Sequence, residues 1–321
     1  PGQPMHGATE TLSAEKVLSF NWTASAKDDH KGILGGEVAL WTEYVHDLTD
    51  IDTQLFPRLP ILAEGLWSQK PTTDIVSLVR AQLPKLSRLG ITYYVEPPSG
   101  LYERSAFLDD AEVVLAISPI YDGATIEVQA DDGLPFVYKG PFKVTKTTRI
   151  RATTVVRDGR RSRVTEGLLT RDRLRPARPP SERVSPPAYT YYEGAFEKVP
   201  DFTKLSPTRR GAATTFDLSV ATRANDYAIQ WSAAIAAPKD GLYTFYVKSD
   251  DGALFHVDNE LVVDNDGRHA PREKRGQIAL AKGVHTVSLG FFQAKGGAYL
   301  AVEVTGPDGS RMPLQTFLLP P

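Results

Sequence analysis

The chain has 321 residues, 41 % of them hydrophobic and 24 % charged, a balance that excludes a disordered tail or a collagen-like rod. Its 37 basic and 39 acidic residues leave a formal charge of −2, without the positive field of a nucleic-acid binder. No apolar run nears the ~20 residues of a membrane-spanning helix, no signal peptide pattern is visible, and the absence of Cys removes disulfides, thiolate metal sites and Cys nucleophiles.

At roughly 150 residues per domain, the length predicts two domains or three small ones. Residues 1–30 read as loop, with one short apolar run at Val17–Trp22. The loop-like start without an initiator Met reads as a piece of something longer. Residues 31–95 are helical in flavour. A mostly buried helix started by proline is expected over Phe56–Trp67, and another after Thr73-Asp74, with apolar residues at Ile75, Leu78, Val79, Leu86 and Leu89. Gly90 is placed to end it, and Pro84 to kink or split it.

From about residue 110 the apolar period becomes two. Val113, Leu115 and Ile117 alternate, as do Ile126 and Val128, and Asp-Gly turns at 122–123, 132–133 and 158–159 punctuate a small β-sandwich. An Arg/Pro-rich stretch, 171–187, reads as a semi-rigid linker. Its Arg residues lack the interleaved aromatics that stack nucleic-acid bases. Beyond it, Tyr227, Ile229, Trp231, Ala233 and Ile235 form one alternating face, Tyr243, Phe245 and Val247 a second, and Leu300, Val302 and Val304 a third. A second all-β domain is expected over about 188–321.

Common catalytic signatures are missing. There is no P-loop, no HExxH and no GxSxG. The informative stretch is Ile33-Leu34-Gly35-Gly36-Glu37-Val38-Ala39-Leu40-Trp41-Thr42-Glu43-Tyr44-Val45, followed by Phe56-Pro57-Arg58 and Glu64-Gly65-Leu66-Trp67-Ser68. These linked motifs closely resemble the last barrel strand, loop and helix of family 20 glycoside hydrolases, the β-N-acetylhexosaminidases. The family often has Arg where this chain has Gly65, which puts a structural ion pair in doubt and leaves the sugar site untouched.

The resemblance implies the C-terminal remnant of a (β/α)8 barrel over residues 1–108. Trp41 and Glu43 stand in an i, i+2 relation, so on a strand they point the same way. A Trp can stack on the C–H face of a sugar and a carboxylate can accept from its hydroxyls. The resemblance gives these two the substrate-binding roles for N-acetylhexosamine-terminated glycans; residues alone would favour a core aromatic and a surface charge. Glu37 and Arg58 are expected to be buried ion-pair or hydrogen-bonding groups that hold the barrel closed, and Glu64 to be structural. The family's catalytic Asp-Glu pair, which works with the substrate's own acetamido group, cannot be placed on this chain. Asp28-Asp29 and Asp109-Asp110 lack the surrounding motif. No cofactor is expected for catalysis, and the chain by itself is expected to be inactive. Export, to the periplasm, cell surface or medium, is implied by the resemblance.

Residues 109–170, through Pro119-Ile120-Tyr121-Asp122-Gly123 and Tyr138-Lys139-Gly140-Pro141-Phe142, resemble the C-terminal sandwich appended to chitobiases and hexosaminidases. Residues 188–321 resemble the protective-antigen-type β-sandwich, through Tyr191-Tyr192-Glu193-Gly194, Asp240-Gly241-Leu242-Tyr243, Ser249-Asp250-Asp251-Gly252 and Lys282-Gly283-Val284-His285. In some adhesin relatives a matching Asp-Asp pair holds Ca²⁺ that binds sugar hydroxyls. Asp250 and Asp251 therefore carry two readings, a pair of calcium ligands or a tight turn whose carboxylates accept from backbone N–H groups. Asp258, Asp264 and Asp266 read as turn residues. Three functions compete: the C-terminal portion of an exo-β-N-acetylhexosaminidase, a non-catalytic carbohydrate-binding or adhesive module, and a purely structural pair of sandwiches.

Overall fold

The computed structural model describes residues 14, 17, 36–40, 42, 45–67, 75–179 and 186–319. Helices Leu48–Leu55, Arg58–Trp67 and Ile75–Arg88 come first. Strands follow in the order β1 (Arg104–Phe107), β2 (Ala111–Val113), β3 (Thr125–Ala130), β4 (Phe136–Val137), β5 (Phe142–Val144), β6 (Thr148–Val155) and β7 (Thr165–Arg171). The remainder are β8 (Ala188–Glu193), β9 (Arg209–Ala212), β10 (Tyr227–Ala237), β11 (Gly241–Asp250), β12 (Ala253–Val257), β13 (Glu260–Asn265), β14 (Arg272–Leu280), β15 (Gly283–Gln293), β16 (Tyr299–Thr305) and β17 (Arg311–Pro313). The chain divides into two compact units, one of residues 1–101, 112–142 and 149–167, the other of residues 102–111, 143–148 and 168–321.

In the first unit, Asp47 caps helix Leu48–Leu55 by accepting from the Asp50 amide at 2.9 Å, which satisfies one of the orphan donors of the first turn. The predicted single helix over Phe56–Trp67 begins two residues later, at Arg58, after a cis Phe56–Pro57 peptide. Helix Ile75–Arg88 buries Val79, Leu83 and Leu86, spaced to share one face. Pro84 does not split it. The residue is exposed, so the hydrogen bond it cannot make is lost on the solvent side. Gly90, at φ +72°, ends the helix as predicted, with Ile91 N donating to Leu86 O at 3.0 Å. Leu89 lies in this turn and is 73 % exposed, not on the apolar face where spacing put it. Thr73-Asp74, the predicted cap, lies outside the described residues.

The helices pack with Ala14, Val17, Tyr93, Val95, Ile120, Tyr121 and Val156 into one apolar cluster. Beside it β3 pairs antiparallel with β4 and β6, in a register that includes Ile126↔Thr154 and Val128↔Ala152. Gly123 and Gly159 supply the left-handed backbone of two Asp-Gly turns. In the third, Asp131 at φ +49° takes that role in place of Gly133. The alternation at Val113, Leu115 and Ile117 yields only the short β2, after which Ala116 makes a single bridge to Ser99.

The second unit holds two antiparallel sheets, ordered β13-β12-β15-β10-β8-β9 and β14-β11-β16-β17. Inward-facing residues of both form the main core, including Tyr227, Trp231, Tyr243, Phe245, Phe255, Phe291 and Val304, all at most 1 % exposed, in the manner of a β-sandwich. β10 lacks the one-sided burial that its alternation predicts. Ala228, on its other face, is covered with Tyr192, Phe292 and Ala294 by Phe196, Val199, Phe202 and Leu205. The first part of the predicted linker is not free. Arg175 N donates to Ala279 O at 2.8 Å, Ala281 N to Arg175 O at 2.9 Å and Arg178 N to Val284 O at 2.9 Å. Residues 172–178 therefore form a strap along the sandwich edge, while 180–185 lie outside the described residues. The protein is multidomain and mostly β. Among the described residues no strand precedes Arg104, and residues 36–40 are irregular. A parallel barrel strand takes its hydrogen bonds from neighbouring strands, and no strand that pairs with 36–40 is among the described residues.

Candidate functional site

The sequence places two candidate sites, one at each end of the chain. Of the first, Trp41 and Glu43 lie outside the described residues. Between them Thr42 is exposed, and its carbonyl accepts from Val45 N at 3.1 Å. Glu37, expected to be a buried ion-pair or hydrogen-bonding group, is exposed and has no partner among the described residues. Arg58 is half-buried on the first turn of its helix. Its guanidinium donates to Thr53 O and lies over the Tyr94 ring, 5.4 Å from the centroid. Burial lowers its pKa, against the opposing pull of Tyr94, Glu96 and Tyr121. Tyr121 Oη joins the same corner, donating to Tyr94 O at 2.9 Å and accepting from Glu96 N at 3.1 Å. The described partners of Arg58 thus tie its helix to the segment after Gly90. Glu64 is half-buried on the same helix.

The second site lies at the end of β11. The Asp250–Asp251 peptide is cis. Asp251 is 5 % exposed, and both its carboxylate oxygens accept backbone N–H groups, Oδ1 from His269 at 3.1 Å and Oδ2 from Ala294 at 2.9 Å. Gly252 is required by crowding. A Cβ there would lie 2.5 Å from the Phe292 ring and 2.7 Å from Asp266 Oδ1. The Asp250 carboxylate is half-buried and accepts no hydrogen bond among the described residues. Burial raises its pKa, the Asp251 charge adds to the rise, and His269 pulls the other way. β16 sets Tyr299, 44 % exposed, opposite Asp250 in the ladder.

One functional candidate escapes the sequence reading. Gln293, the last residue of β15, is fully buried. Its Nε2 donates to Gly297 O at 3.0 Å, and its Oε1 has no partner among the described residues. Gly297 in turn is close to Asp250, for a Cβ on it would lie 3.8 Å from Asp250 Oδ2. The signal was a polar residue ending a strand run buried on both faces, Phe291-Phe292-Gln293. The other acidic residues behave as turn formers. Asp266 Oδ1 accepts from Val199 N and Gly267 N, each at 2.8 Å, and Asp264 Oδ1 from Asp266 N at 3.1 Å. Asp258 has a further partner in His285.

Among the described residues, the acceptors offered by Asp250, Asp251 and Gln293 are oxygens. The second lone pairs of Asp251, the Asp250 carboxylate and the Gln293 amide oxygen suit a hard ion such as Ca²⁺ better than a soft one. No group of three or more His, Cys, Asp or Glu side chains gathers to hold a metal among the described residues, so backbone carbonyls and water would complete any shell.

Comparison with known proteins divides along the same line. The family model "Glycosyl hydrolase family 20, catalytic domain" matches residues 3–70, and the model "PA14 domain" matches residues 188–315. The chain is 24 % identical over 296 residues to a beta-hexosaminidase of Porphyromonas gingivalis, covering 85 % of this chain and 37 % of that protein. It is 47 % identical over 47 residues to the beta-hexosaminidase subunit beta of Sus scrofa, covering 15 % of this chain and 9 % of that protein. The chain thus spans well under half the length of these relatives. A solved PA14 sugar-binding domain from an RTX adhesin is similar at 15 % identity and a TM-score of 0.37, covering 43 % of this chain and 100 % of that one. The chain therefore resembles a portion of a family 20 glycoside hydrolase joined to a PA14-type domain.

Proposed function

We propose that this chain is the C-terminal portion of an exported exo-β-N-acetylhexosaminidase that removes terminal N-acetylhexosamine by substrate-assisted, retaining hydrolysis. The observation that carries the reading is the family 20 catalytic-domain match over residues 3–70, which contains the Trp41/Glu43 motif. In this reading Trp41 stacks on the apolar face of the sugar and Glu43 accepts from its outer hydroxyls. The general acid and the acetamide-orienting carboxylate come from earlier strands of a barrel whose last part this chain supplies. One wall of a pocket cannot replace them, because the rate depends on a positioned proton donor.

The test uses a protein that carries the upstream barrel, assayed on an aryl N-acetylglucosaminide. Trp41→Ala and Glu43→Gln are expected to cut kcat/KM severely with the fold intact, and the 321-residue chain to show no turnover. Wild-type kcat/KM in both variants would overturn the reading.

A second reading is favoured by the Asp250 carboxylate and the Gln293 amide oxygen, neither of which has a partner among the described residues. The terminal sandwich then binds a hard cation at Asp250, Asp251 and Gln293, and through it the vicinal hydroxyls of a sugar. Bound there, the cation would supply a Lewis-acidic contact to those hydroxyls, while the chain's own residues orient it. Calcium titration calorimetry of the intact chain is expected to show saturable heat that Asp250→Asn removes. Absence of heat with calcium would dismiss this reading and leave the first untouched.

A further inference from the structure

His285 lies on the core-facing side of β15 with no exposed surface. Its Nδ1 is 2.6 Å from Asp258 Oδ2, and its Nε2 is 2.8 Å from the Ala281 carbonyl oxygen. Both partners are acceptors. A neutral imidazole carries a single N–H, so either tautomer would press a nitrogen lone pair against an oxygen in a buried place. Only the imidazolium satisfies both contacts.

Asp258 is fixed just as firmly. Its Oδ1 accepts from Thr286 N at 2.8 Å and from Thr286 Oγ1 at 3.1 Å, while its own amide donates to Thr286 O at 2.8 Å. Asp258 and Asn259, at φ +47° and +66°, form the two-residue turn between β12 and β13, the left-handed pair that such hairpins use. Ala281 belongs to the turn between β14 and β15, and its amide donates to Arg175 of the strap.

We infer that the His285 imidazolium is a latch that joins the β12–β13 turn to the β14–β15 turn and that holds this end of the sandwich more firmly in acidic than in alkaline surroundings. The other charged groups nearby are Glu260, Arg175, Asp240, Lys282 and Arg178. β10 sets Ile235 opposite His285. At the start of β13 Glu260 is forked by Arg175. In the β14–β15 turn Lys282 binds Asp240 through its amide, and on the strap Arg178 donates its amide to Val284 O. Asp258 is the charge that acts on the ring.

The direction follows from linkage. Burial pushes the His285 pKa down, but the Asp258 and Ala281 hydrogen bonds and the Asp258 charge leave it raised above 6.5. The unfolded chain therefore loses the proton first as pH rises. The latch contributes fully below the unfolded pKa and is lost as pH rises through the folded one. Asp258 is opposed by burial yet lowered by His285 and Thr286, so its own contribution is lost only as pH falls through that depressed value. The latch sits at the far end of β12 and β15 from Asp250, so it is independent of both proposed activities.

Long-range ¹H–¹⁵N correlation on the intact chain tests this. At pH 7.5, where a free imidazole is mostly neutral, both His285 nitrogens are expected to carry protons. One protonated nitrogen at that pH overturns the latch. Chemical unfolding from pH 6 to 9 is expected to show stability falling with a slope approaching one proton, and Asp258→Asn to flatten that slope. An unchanged slope in Asp258→Asn also overturns it. If the variant does not fold, the nitrogen spectrum of the unaltered chain decides.

Discussion

Arg175 forks onto Glu260, 85 residues later in the chain, with Nη2 2.8 Å from Oε1 and Nε 3.1 Å from Oε2. The same guanidinium also bonds Asp172 and the Arg173 carbonyl. A planar fork over two oxygens is a geometry that Lys cannot copy. It fixes the Arg/Pro-rich strap to β13. Arg175→Ala is expected to cost about 0.5–1.5 kcal/mol, modest because Glu260 is half in solvent, and to expose residues 172–178 to proteolysis. Arg175→Lys should restore only part of the protection. Urea unfolding and timed trypsin digestion check both. Cleavage patterns identical to the unaltered chain would mean that the backbone bonds alone hold the strap.

Asn265 is a buried hub. Its Nδ2 donates to Ser249 Oγ at 2.8 Å and to Arg272 O at 3.0 Å, and its Oδ1 accepts from Arg272 Nε at 2.8 Å. It ties β13 to β11 and β14. Asn265→Ala strands these partners where water does not reach and is expected to cost about 1–3 kcal/mol. Asn265→Leu, isosteric but apolar, should cost at least as much, since the partners remain. A loss below about 0.5 kcal/mol in both, read by urea unfolding, would show that the neighbours find other partners.

Gly276 is where β14 runs close under β13. A Cβ there would lie 1.8 Å from Val262 O, and a backbone oxygen cannot rotate away as a side chain can. Gly276→Ala is expected to destabilise the terminal sandwich by about 1–3 kcal/mol or more. Gly297→Ala, whose Cβ would meet nothing nearer than 3.8 Å, should be tolerated. Comparable thermal midpoints for the two variants would contradict the close approach.

Asp250 is held above its usual range by burial first and by the Asp251 charge second. A carboxyl whose folded pKa is raised stabilises the fold when protonated, and that contribution is lost as pH rises through the raised value. Asp250→Asn should therefore be more stable than the unaltered chain at pH 7 and nearly equal to it at pH 3. Asp251→Asn should bring the Asp250 titration down toward the ordinary range, seen by carboxyl ¹³C NMR. A variant no more stable at pH 7 than at pH 3, relative to the unaltered chain, would show that Asp250 does not bear this cost.

Much of this protein is legible in its residue order. The period-two runs at Tyr243–Val247 and Leu300–Val304 become β11 and β16, because alternation is local and each inward residue finds the same core. Gly90 and the Asp-Gly turns at 122–123 and 158–159 work where they were expected, since a left-handed residue is a property of one position. The linked motifs around Trp41, Glu43 and Arg58 carry the family 20 resemblance through residue identity. What the order of residues could not disclose depends on distant partners. The double burial of β10 comes from a loop that folds back over Ala228. Arg175 reads as one of many linker arginines until Glu260 meets it. Asp258 reads as a turn residue until His285, 27 positions on, arrives with both nitrogens facing acceptors. The protonation of that imidazole, the crowding at Gly276 and the stranded oxygen of Gln293 were decided by tertiary packing, because desolvation and hydrogen-bond geometry exist only once segments far apart in the chain are brought together.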